Sequence, residues 1–327
     1  MAFKVPRRDS FLGEVGLKIS KELIARNIPI SPMLSLSYVH EFANTISKRA
    51  QSRVSDMPKY FFIPTYEIPK SSFNMSSGVS IKINNRMFKL SDQLTIVIPC
   101  KNEKNTILKT LDLLNYQSGI NGVKVIVCDA SNDGVTKPDL IARLMYGHTT
   151  DMFELHLMDG GLPAKARNNG FKIVTTPYVL FMDADVFLLD PKVIIRSIIK
   201  INKYVLDLVT TKFRSDNGKY NYVYKTFDLI QMASKWTTPF CLGGYMLVRS
   251  NTFREIGGFD EDIKVAEDYI FSKQITPKKF GRINNIVYTP PRRFESKGIW
   301  YMLKLMIGSF FNSNNKKFFE SDKGYWK

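Results

Sequence analysis

Residues 178–185 read Tyr-Val-Leu-Phe-Met-Asp-Ala-Asp, an apolar run that ends in two carboxylates one residue apart. An unbroken apolar run of this length predicts a strand that is buried on both faces of a sheet. Asp183 and Asp185 follow this strand, where acidic residues serve either as turn formers or as ligands that share a hard divalent cation, Mn²⁺ or Mg²⁺. Three other segments of the chain favour the second alternative, in which Asp183 and Asp185 bind a divalent cation.

Around this stretch, short β-rich runs alternate with amphipathic segments. This alternation predicts an α/β fold with a mostly parallel sheet and helices on both faces. The predicted strands are residues 94–99, 123–128, 153–157, 178–182 and 241–249, and the predicted helices are residues 105–116, 137–146, 163–174, 220–236 and 250–256. Active sites in such sheets lie beyond the carboxyl ends of the strands, so the chemistry is expected after Pro99, Cys128 and Met182.

Positive charge is concentrated at the two ends of the chain, whose net charge is +17. Residues 1–90 hold 14 Lys and Arg against 6 Asp and Glu, and residues 264–327 hold 13 against 5. Basic ends bind nucleic acid, anionic lipid headgroups or phosphorylated substrates, or they simply keep a protein soluble. We therefore predict a basic extension over residues 1–90, a catalytic domain over residues 91–291 and a basic amphipathic segment over residues 292–327.

The basic extension shows no catalytic constellation. We predict amphipathic helices over residues 12–26 and 36–53, followed by an extended stretch that Pro58, Pro64 and Pro69 punctuate.

Cysteine content and hydropathy indicate the compartment. The three cysteines are far apart and lack the spacing of a disulfide framework or a zinc site, which fits a reducing compartment. The first residues do not read as a secretory signal, and no apolar run approaches the roughly 20 residues that span a bilayer. We expect a cytoplasmic protein, or one peripheral on a membrane.

Two strand ends carry side chains suited to a nucleoside. Pro99 ends the first predicted strand, and Asn102 and Glu103 follow at a helix start, where polar groups hold a nucleoside or cap the helix. Asp129 stands after the second strand, where its carboxylate could accept hydrogen bonds from a base.

Two further segments carry charges at predicted helix starts. Lys165 and Arg167 follow Gly160-Gly161 and could face a diphosphate, or be solvated helix charges. Glu267 and Asp268 open a later helix, where acids interact favourably with the helix dipole. Beside a metal-bound diphosphate, such a carboxylate could also act as a general base.

Six segments in order resemble the inverting glycosyltransferases of family two, which have the GT-A fold. They are TIVIPCKNE, VIVCDASNDG, LPAKARNNG, YVLFMDAD, RSNTFREIGGFDEDIKVAED and PRRFESKGIW, and together they cover about residues 93–300. Any one of them is a weak signal, whereas six in this order are specific.

The resemblance implies a donor, a cofactor and roles for individual residues. The donor would be a nucleoside-diphosphate sugar, the cofactor Mn²⁺ or Mg²⁺, and the reaction a single displacement that inverts the anomeric carbon. The implied roles are base contact for Asp129, ribose or metal contact for Asp183, metal binding for Asp185, general base for Asp268, and nucleoside contact for Pro99 and Glu103. Arg292 and Arg293 would add charge over the diphosphate, or belong to the basic tail.

Some features depart from the family pattern. Cys128 replaces the first acid of the usual Asp-Asp pair, and no histidine follows His156 that could ligate a metal late in the fold. The chain also lacks a Gln-x-x-Arg-Trp motif and a transmembrane run, which argues against a processive polysaccharide synthase.

Two other functions fit parts of the pattern. A sugar nucleotidyltransferase would share the sheet and the metal carboxylates, but would carry a glycine-rich basic loop where Cys-Lys-Asn-Glu stands; pyrophosphate release would identify it. A basic nucleic-acid-binding protein fits the pI of about 9.6, but no recognisable binding motif accompanies the charge. Nucleic acid is therefore not the expected partner.

The acceptor is left open as a sugar, a lipid-linked molecule or a protein. Residues 213–240, the region expected to face the acceptor, are rich in aromatic and hydrogen-bonding side chains; aromatic residues form sugar platforms or fill cores. In residues 298–311, Trp300, Leu303, Ile307 and Phe310 recur at helical spacing beside lysines. This pattern predicts a helix that lies on an anionic membrane surface or packs against the catalytic domain.

Overall fold

The computed structural model describes backbone and side chains over residues 89–146, 151–234 and 236–323, and the backbone of strands between residues 12 and 81. The chain forms two compact units, Met1–Met87 and Phe88–Lys327.

The first unit contains strands where helices were predicted. Its strands are β1 (Leu12–Ser20), β2 (Leu23–Ala25), β3 (Ile28–Glu41), β4 (Gln51–Ser52), β5 (Phe61–Phe62) and β6 (Ser71–Ile81). β3 pairs antiparallel with β1, β2 and β6, and β4 pairs with β5.

The helices predicted over residues 12–26 and 36–53 are therefore wrong where the structure describes them. The apolar residues recur every second position, in Val15-x-Leu17-x-Ile19 of β1 and in Leu34-x-Leu36-x-Tyr38 of β3, which is the period of a strand. The register pairs these two runs with each other, so the alternation matches across both strands. Residues 42–50 and the three prolines predicted to break the stretch lie outside the described residues.

The second unit is built on a seven-stranded sheet. Its strands are β7 (Leu94–Cys100), β8 (Lys124–Asp129), β9 (Glu154–Asp159), β10 (Tyr178–Met182), β11 (Leu208–Ser215), β12 (Tyr245–Arg249) and β13 (Phe280–Thr289). Their order is β13-β11-β12-β10-β7-β8-β9. All neighbouring strands are parallel except β12, which runs antiparallel to both β10 and β11.

Helices cover both faces of this sheet, which confirms the predicted fold class. They are α1 (Ile107–Asn115), α2 (Thr136–Tyr146), α3 (Pro163–Phe171), α4 (Val193–Lys203), α5 (Asn221–Ser234), α6 (Ser250–Ile256), α7 (Glu267–Ser272), α8 (Arg292–Lys297), α9 (Ile299–Phe311) and α10 (Lys316–Glu320). Successive residues of one strand enter opposite cores: Ile96 and Ile98 of β7 join one buried cluster, and Val97 joins the other. Unbroken apolar strands are the consequence of this two-sided burial.

The C-terminal helix α10 is anchored on the loop that precedes α7. Phe319 is fully buried against Ile263 and Val265, and its carbonyl accepts a hydrogen bond from the Lys264 amide at 2.9 Å. The Lys316 ammonium pairs with two acids of the same loop, Asp260 at 2.8 Å and Asp262 at 2.9 Å. The end of the chain therefore fixes the segment that leads into Glu267 and Asp268.

Among the described helices, none combines the length and apolarity that crossing a bilayer requires.

Candidate active site

The strand ends of the second unit open into a cavity of about 810 Å³, within the range of sites that bind organic ligands. One part of it, here called the polar half, is lined by Glu103, Arg167, Asp183, Asp185, Glu267, Asp268 and Arg292. Glu103 follows β7, and Asp183 and Asp185 follow β10, so adjacent parallel strands deliver their carboxylates to the same edge of the sheet. This is the edge at which the sequence predicted the chemistry.

Arg292 joins two of these acids. Its Nη2 donates to both carboxylate oxygens of Glu103 at 2.8 Å and to Oδ2 of Asp185 at 2.6 Å. Burial raises the pKa of Asp185, the charges of Asp183 and Glu103 raise it further, and the Arg292 guanidinium opposes both effects. The cluster therefore carries concentrated negative charge that a nearby cation stabilises.

Arg167 connects two other acids of the polar half, Asp183 and Glu267. Its guanidinium is buried, with Nη2 2.7 Å from Oδ1 of Asp183 and Nη1 2.6 Å from Oε1 of Glu267. Both terminal nitrogens are thus engaged by carboxylates, and Nε has no hydrogen-bond partner. Arg167 lines the cavity, but the structure places it as a link between the strand end of β10 and the start of α7.

Asp268 is held by two backbone amides. Its Oδ2 accepts a hydrogen bond from the Gly243 amide at 2.6 Å, and its Oδ1 accepts one from the Tyr269 amide at 2.7 Å. Ala266 adopts a left-handed backbone with φ of 57°, which turns the chain sharply into α7. Burial and then the neighbouring Glu267 charge raise the pKa of Asp268 to about 7, against the opposing charge of Arg167.

Gly243 can approach this group because it has no side chain. A Cβ there would lie 2.9 Å from Nη2 of Arg167 and 3.2 Å from Oδ2 of Asp268. The predicted strand over residues 241–249 begins only at Tyr245, so residues 241–244 form an irregular segment whose amide reaches the acid. The Gly243-Gly244 pair was the signal for this role that the sequence prediction missed.

Asp129 has one carboxylate oxygen free of protein partners. Oδ1 accepts hydrogen bonds from the amide and hydroxyl of Ser131 at 3.1 and 2.5 Å, whereas the buried Oδ2 has none. Asp129 pairs in register with Cys100, which lines the cavity. An unpartnered buried oxygen at this place can accept a hydrogen bond from a ligand.

The structure brings together most of the predicted site residues. The cavity is lined by Pro99, Glu103, Arg167, Asp183, Asp185, Asp268, Arg292 and Arg293. Asp129 is outside this lining, and Lys165 is exposed with its aliphatic chain against Gly161. Glu267, whose carboxylate pairs with Arg167, was considered only as an alternative to Asp268.

Much of the remaining lining comes from two parts of the chain. Residues between 227 and 240 fall within the aromatic region 213–240 that was expected to face the acceptor, whereas residues of α8 and α9 were not predicted as part of a site. The name apolar half is used here for part of this lining, namely Phe227, Ile230, Ala233, Ser234, Thr237, Thr238, Phe240, Phe294, Met302, Leu305, Met306, Ile307, Ser309, Phe310 and Phe311. These residues come from α5, the loop after it, α8 and α9. The helix predicted over residues 298–311 is confirmed by α9, and it packs against the catalytic unit through Ile299, Met302 and Met306.

Two family models match the chain. Residues 95–257 match Glycosyl transferase family 2, and residues 1–88 match the model described as Autotransporter beta-domain.

Curated relatives match parts of the chain. A pre-mycofactocin glycosyltransferase of Mycobacterium tuberculosis is 26% identical over 193 residues, which cover 54% of this chain and 37% of that protein. The amylovoran biosynthesis glycosyltransferase AmsB of Erwinia amylovora is 37% identical over 92 residues, which cover 28% of this chain and 30% of that protein. The chain thus spans about a third of the length of these relatives.

A solved structure shares the fold. The mannosyltransferase PcManGT of Pyrobaculum calidifontis, in complex with GDP-Man and Mn²⁺, superposes with a TM-score of 0.53 at 20% identity, covering 65% of this chain and 61% of that one. The sheet order, the strand-end carboxylates and this similarity agree on a GT-A type fold. By its motifs and its match over residues 95–257, the chain contains a glycosyl transferase family 2 domain.

Proposed function

We propose that the chain is an inverting, metal-dependent glycosyltransferase that moves a sugar from a nucleoside-diphosphate sugar to an acceptor hydroxyl. The observation that carries this proposal is one cavity that contains both a cluster of strand-end carboxylates and a separate carboxylate, Asp268, whose pKa is raised to about 7. The first group suits a metal diphosphate, and the second suits a general base. Membership of the family supports the same activity.

The donor set fits a hard divalent cation. Among the described residues, no three or more His, Cys, Asp or Glu side chains are arranged to hold an ion by themselves. Mg²⁺ is, however, commonly bound by one or two carboxylates together with substrate phosphates, and Asp185 and Asp183 provide that number. A bound metal would neutralise charge on the departing diphosphate. The Mn²⁺ in the mannosyltransferase structure makes Mn²⁺ the first ion to test.

Asp268 would act as the base. As the acceptor oxygen attacks the anomeric carbon, its proton passes to the Asp268 carboxylate, and the bond between the anomeric carbon and the diphosphate oxygen breaks with its electrons on the diphosphate. The amides of Gly243 and Tyr269 hold the carboxylate in one orientation. A base with a pKa near neutrality combines a large deprotonated fraction with real proton affinity.

The neighbouring cations would position these acids and the donor. Arg167 couples Asp183 to Glu267 and so fixes the polar half on both sides. Arg292 and Arg293 lie where they could contact the diphosphate. Lys165 lies outside the cavity lining, so it is the weakest of the predicted diphosphate contacts. Pro99, Glu103 and the free oxygen of Asp129 would contact the nucleoside.

Release of a nucleoside diphosphate tests the activity. The purified chain would be incubated with UDP- and GDP-sugars, with Mn²⁺, Mg²⁺ or chelator. We expect metal-dependent release of UDP or GDP and a product of inverted anomeric configuration by NMR. Release of pyrophosphate from nucleoside triphosphate and sugar phosphate would instead establish a nucleotidyltransferase, and a retained configuration would contradict the single displacement.

We also propose a peripheral membrane position, carried by the outer side of α9. Trp300 is 85% exposed there, and Lys304 is exposed one turn later on the helix. Exposed aromatic residues beside lysine fit an anionic bilayer surface. Flotation with anionic liposomes should recover the chain at low salt and lose it at high salt. Absence from anionic vesicles even at low salt would reject the proposal.

A further inference from the structure

The apolar half of the cavity begins directly beside the proposed base. Phe240 stands three residues before Gly243, whose amide holds Asp268, and its ring lies 6.2 Å from the ring of Tyr269. The same lining includes residues of α5 and residues of α9. A molecule with one end at Asp268 could therefore extend between these two helices.

This half offers few polar groups to a ligand. The residues that define it carry no charge, and their polar side chains are the hydroxyls of Ser234, Thr237, Thr238 and Ser309. The Ser234 hydroxyl donates to the Gln231 carbonyl at 2.9 Å and accepts from the Phe240 amide at 3.1 Å, and the Ser309 hydroxyl donates to the Leu305 carbonyl at 2.8 Å. These two hydroxyls already have backbone partners. An extended sugar chain placed here would leave many of its own hydroxyls unpaired, which is costly.

Large apolar side chains remain exposed at the open end. Ile230 on α5 is 39% exposed, and on α9 Ile307 and Phe310 are 51% and 64% exposed. All three line the cavity, so its solvent-exposed part carries apolar side chains from both helices. A concave apolar surface that stays open to solvent is typical of a site for an apolar ligand.

We infer that the acceptor is an amphipathic molecule, with its reacting hydroxyl at Asp268 and an alkyl or isoprenoid chain held in the apolar half between α5 and α9. This inference rests on the proposed function for the identity of the ligand as acceptor. The evidence for a site that binds the alkyl chain is independent of that function: it is the apolar lining, the hydroxyls that already have backbone partners and the exposed apolar side chains at the open end. The same chemistry serves a free amphiphile and a lipid in a bilayer.

Alkyl glucosides of increasing chain length test the site directly. Methyl, octyl and dodecyl β-D-glucoside, each below its micellar concentration, would displace the fluorescent fatty acid cis-parinaric acid from the purified chain. We expect no displacement by the methyl compound and binding at least about 10-fold tighter for dodecyl than for octyl, because each buried methylene strengthens binding by up to about fourfold. Equal binding of octyl and dodecyl glucoside would overturn the inference.

Matched variants test where the alkyl chain of the ligand binds. Ile230→Asp and Phe310→Asp place a charge on the two walls of the cavity, whereas Leu229→Asp and Trp300→Asp place one on the same helices at residues that are 61% and 85% exposed and outside the lining. The wall variants should weaken dodecyl glucoside at least about 10-fold, and the controls less than about twofold. Equal losses in controls and wall variants would show binding to the outer surface and overturn the inference. If Ile230→Asp fails to fold, the comparison of Phe310→Asp with Trp300→Asp on α9 tests the inference by itself.

Two further measurements separate this inference from its premises. Mn²⁺-dependent binding of UDP and GDP should be unchanged in the wall variants, and its absence from the wild type would contradict the proposed function alone. Liposome flotation distinguishes a membrane lipid from a free amphiphile as the source of the alkyl chain. Because the outer surface of α9 and the cavity are separate sites in this proposal, Trp300→Asp should reduce flotation and leave the affinity for dodecyl glucoside unchanged.

Discussion

The polar and apolar halves of the cavity are built from different kinds of sequence. The polar half takes Glu103, Asp183 and Asp185 from the first residues after two parallel strands, so short motifs deliver them together. The apolar half takes one wall from α5 and the other from α9, about 70 residues later in the chain. In the proposed function, the donor site is therefore encoded by short local motifs, whereas the acceptor site is assembled by the packing of distant helices. Variants of the polar half should affect every substrate, and variants of the apolar half only the acceptor.

The largest expected effect is in the polar half. Asp185→Asn retains the size of the side chain but removes the charge that would hold a metal, and we expect turnover to fall by about 1,000-fold or more. Nucleoside diphosphate release in excess Mn²⁺ measures this loss. Asp92→Asn, an exposed acid outside the cavity, serves as the control. Full activity of Asp185→Asn would show that the strand-end acids do not bind the metal.

Asp268→Asn should lower turnover by at least about 100-fold, the usual scale for loss of a general base. Affinity for the nucleoside diphosphate should change little, because Asp268 is hydrogen-bonded to the Gly243 and Tyr269 amides and not to the strand-end acids. Calorimetry with UDP or GDP and Mn²⁺ separates binding from turnover. A larger loss in Glu267→Gln, with Asp268→Asn nearly silent, would assign the base to Glu267.

The pH dependence should identify the same residue. A base works when deprotonated, so kcat/KM should be constant above the Asp268 pKa of about 7 and fall tenfold per pH unit below it. A profile measured from pH 5 to 9 at saturating Mn²⁺ gives the midpoint. A midpoint near 4 would mean that the working base is an ordinary exposed carboxyl.

The smallest effect is on stability. Asp268 has a pKa of about 7 when folded and near 4 when unfolded, so the folded state binds more protons between these values and stability falls as pH rises through them. Asn lacks this penalty. The melting temperature of Asp268→Asn minus that of the wild type should therefore become more positive from pH 5 to 8, by about 2–4 °C for each kcal/mol. A difference that is constant with pH would contradict the raised pKa.

The sequence predicted the polar half well because each strand and its acid are adjacent in the chain. β7, β8 and β10 have unbroken apolar runs, and the turns after them carry the acids. The pairing of Arg167 with Glu267 could not be predicted, because these residues are 100 positions apart. A basic side chain at a helix start is available to a diphosphate only if it does not form an ion pair with a carboxylate from a distant part of the sequence.

Strands with polar residues inside were missed. β11 carries Thr210 and Thr211, both fully buried, and their hydroxyls donate to the carbonyls of Tyr245 at 2.9 Å and Asn285 at 2.6 Å. Such satisfied hydroxyls are compatible with a core, but they interrupt the apolar pattern from which strands are predicted. In the first unit the error was one of period, since alternating apolar residues were assigned to helices.

The reversed direction of β12 has a consequence for redesign. β12 runs antiparallel to β10 and β11. The residues just before β12 therefore lie at the same edge of the sheet as the residues just after β10 and β11. There the Gly244 carbonyl accepts from the Asp183 amide at 3.3 Å while the Gly243 amide donates to Asp268. Four residues thus connect the strand-end acids to the base within one backbone segment. A transplant of α5 and α9 from another family member that preserves residues 241–244 should exchange acceptor preference as a module and leave the catalytic geometry in place.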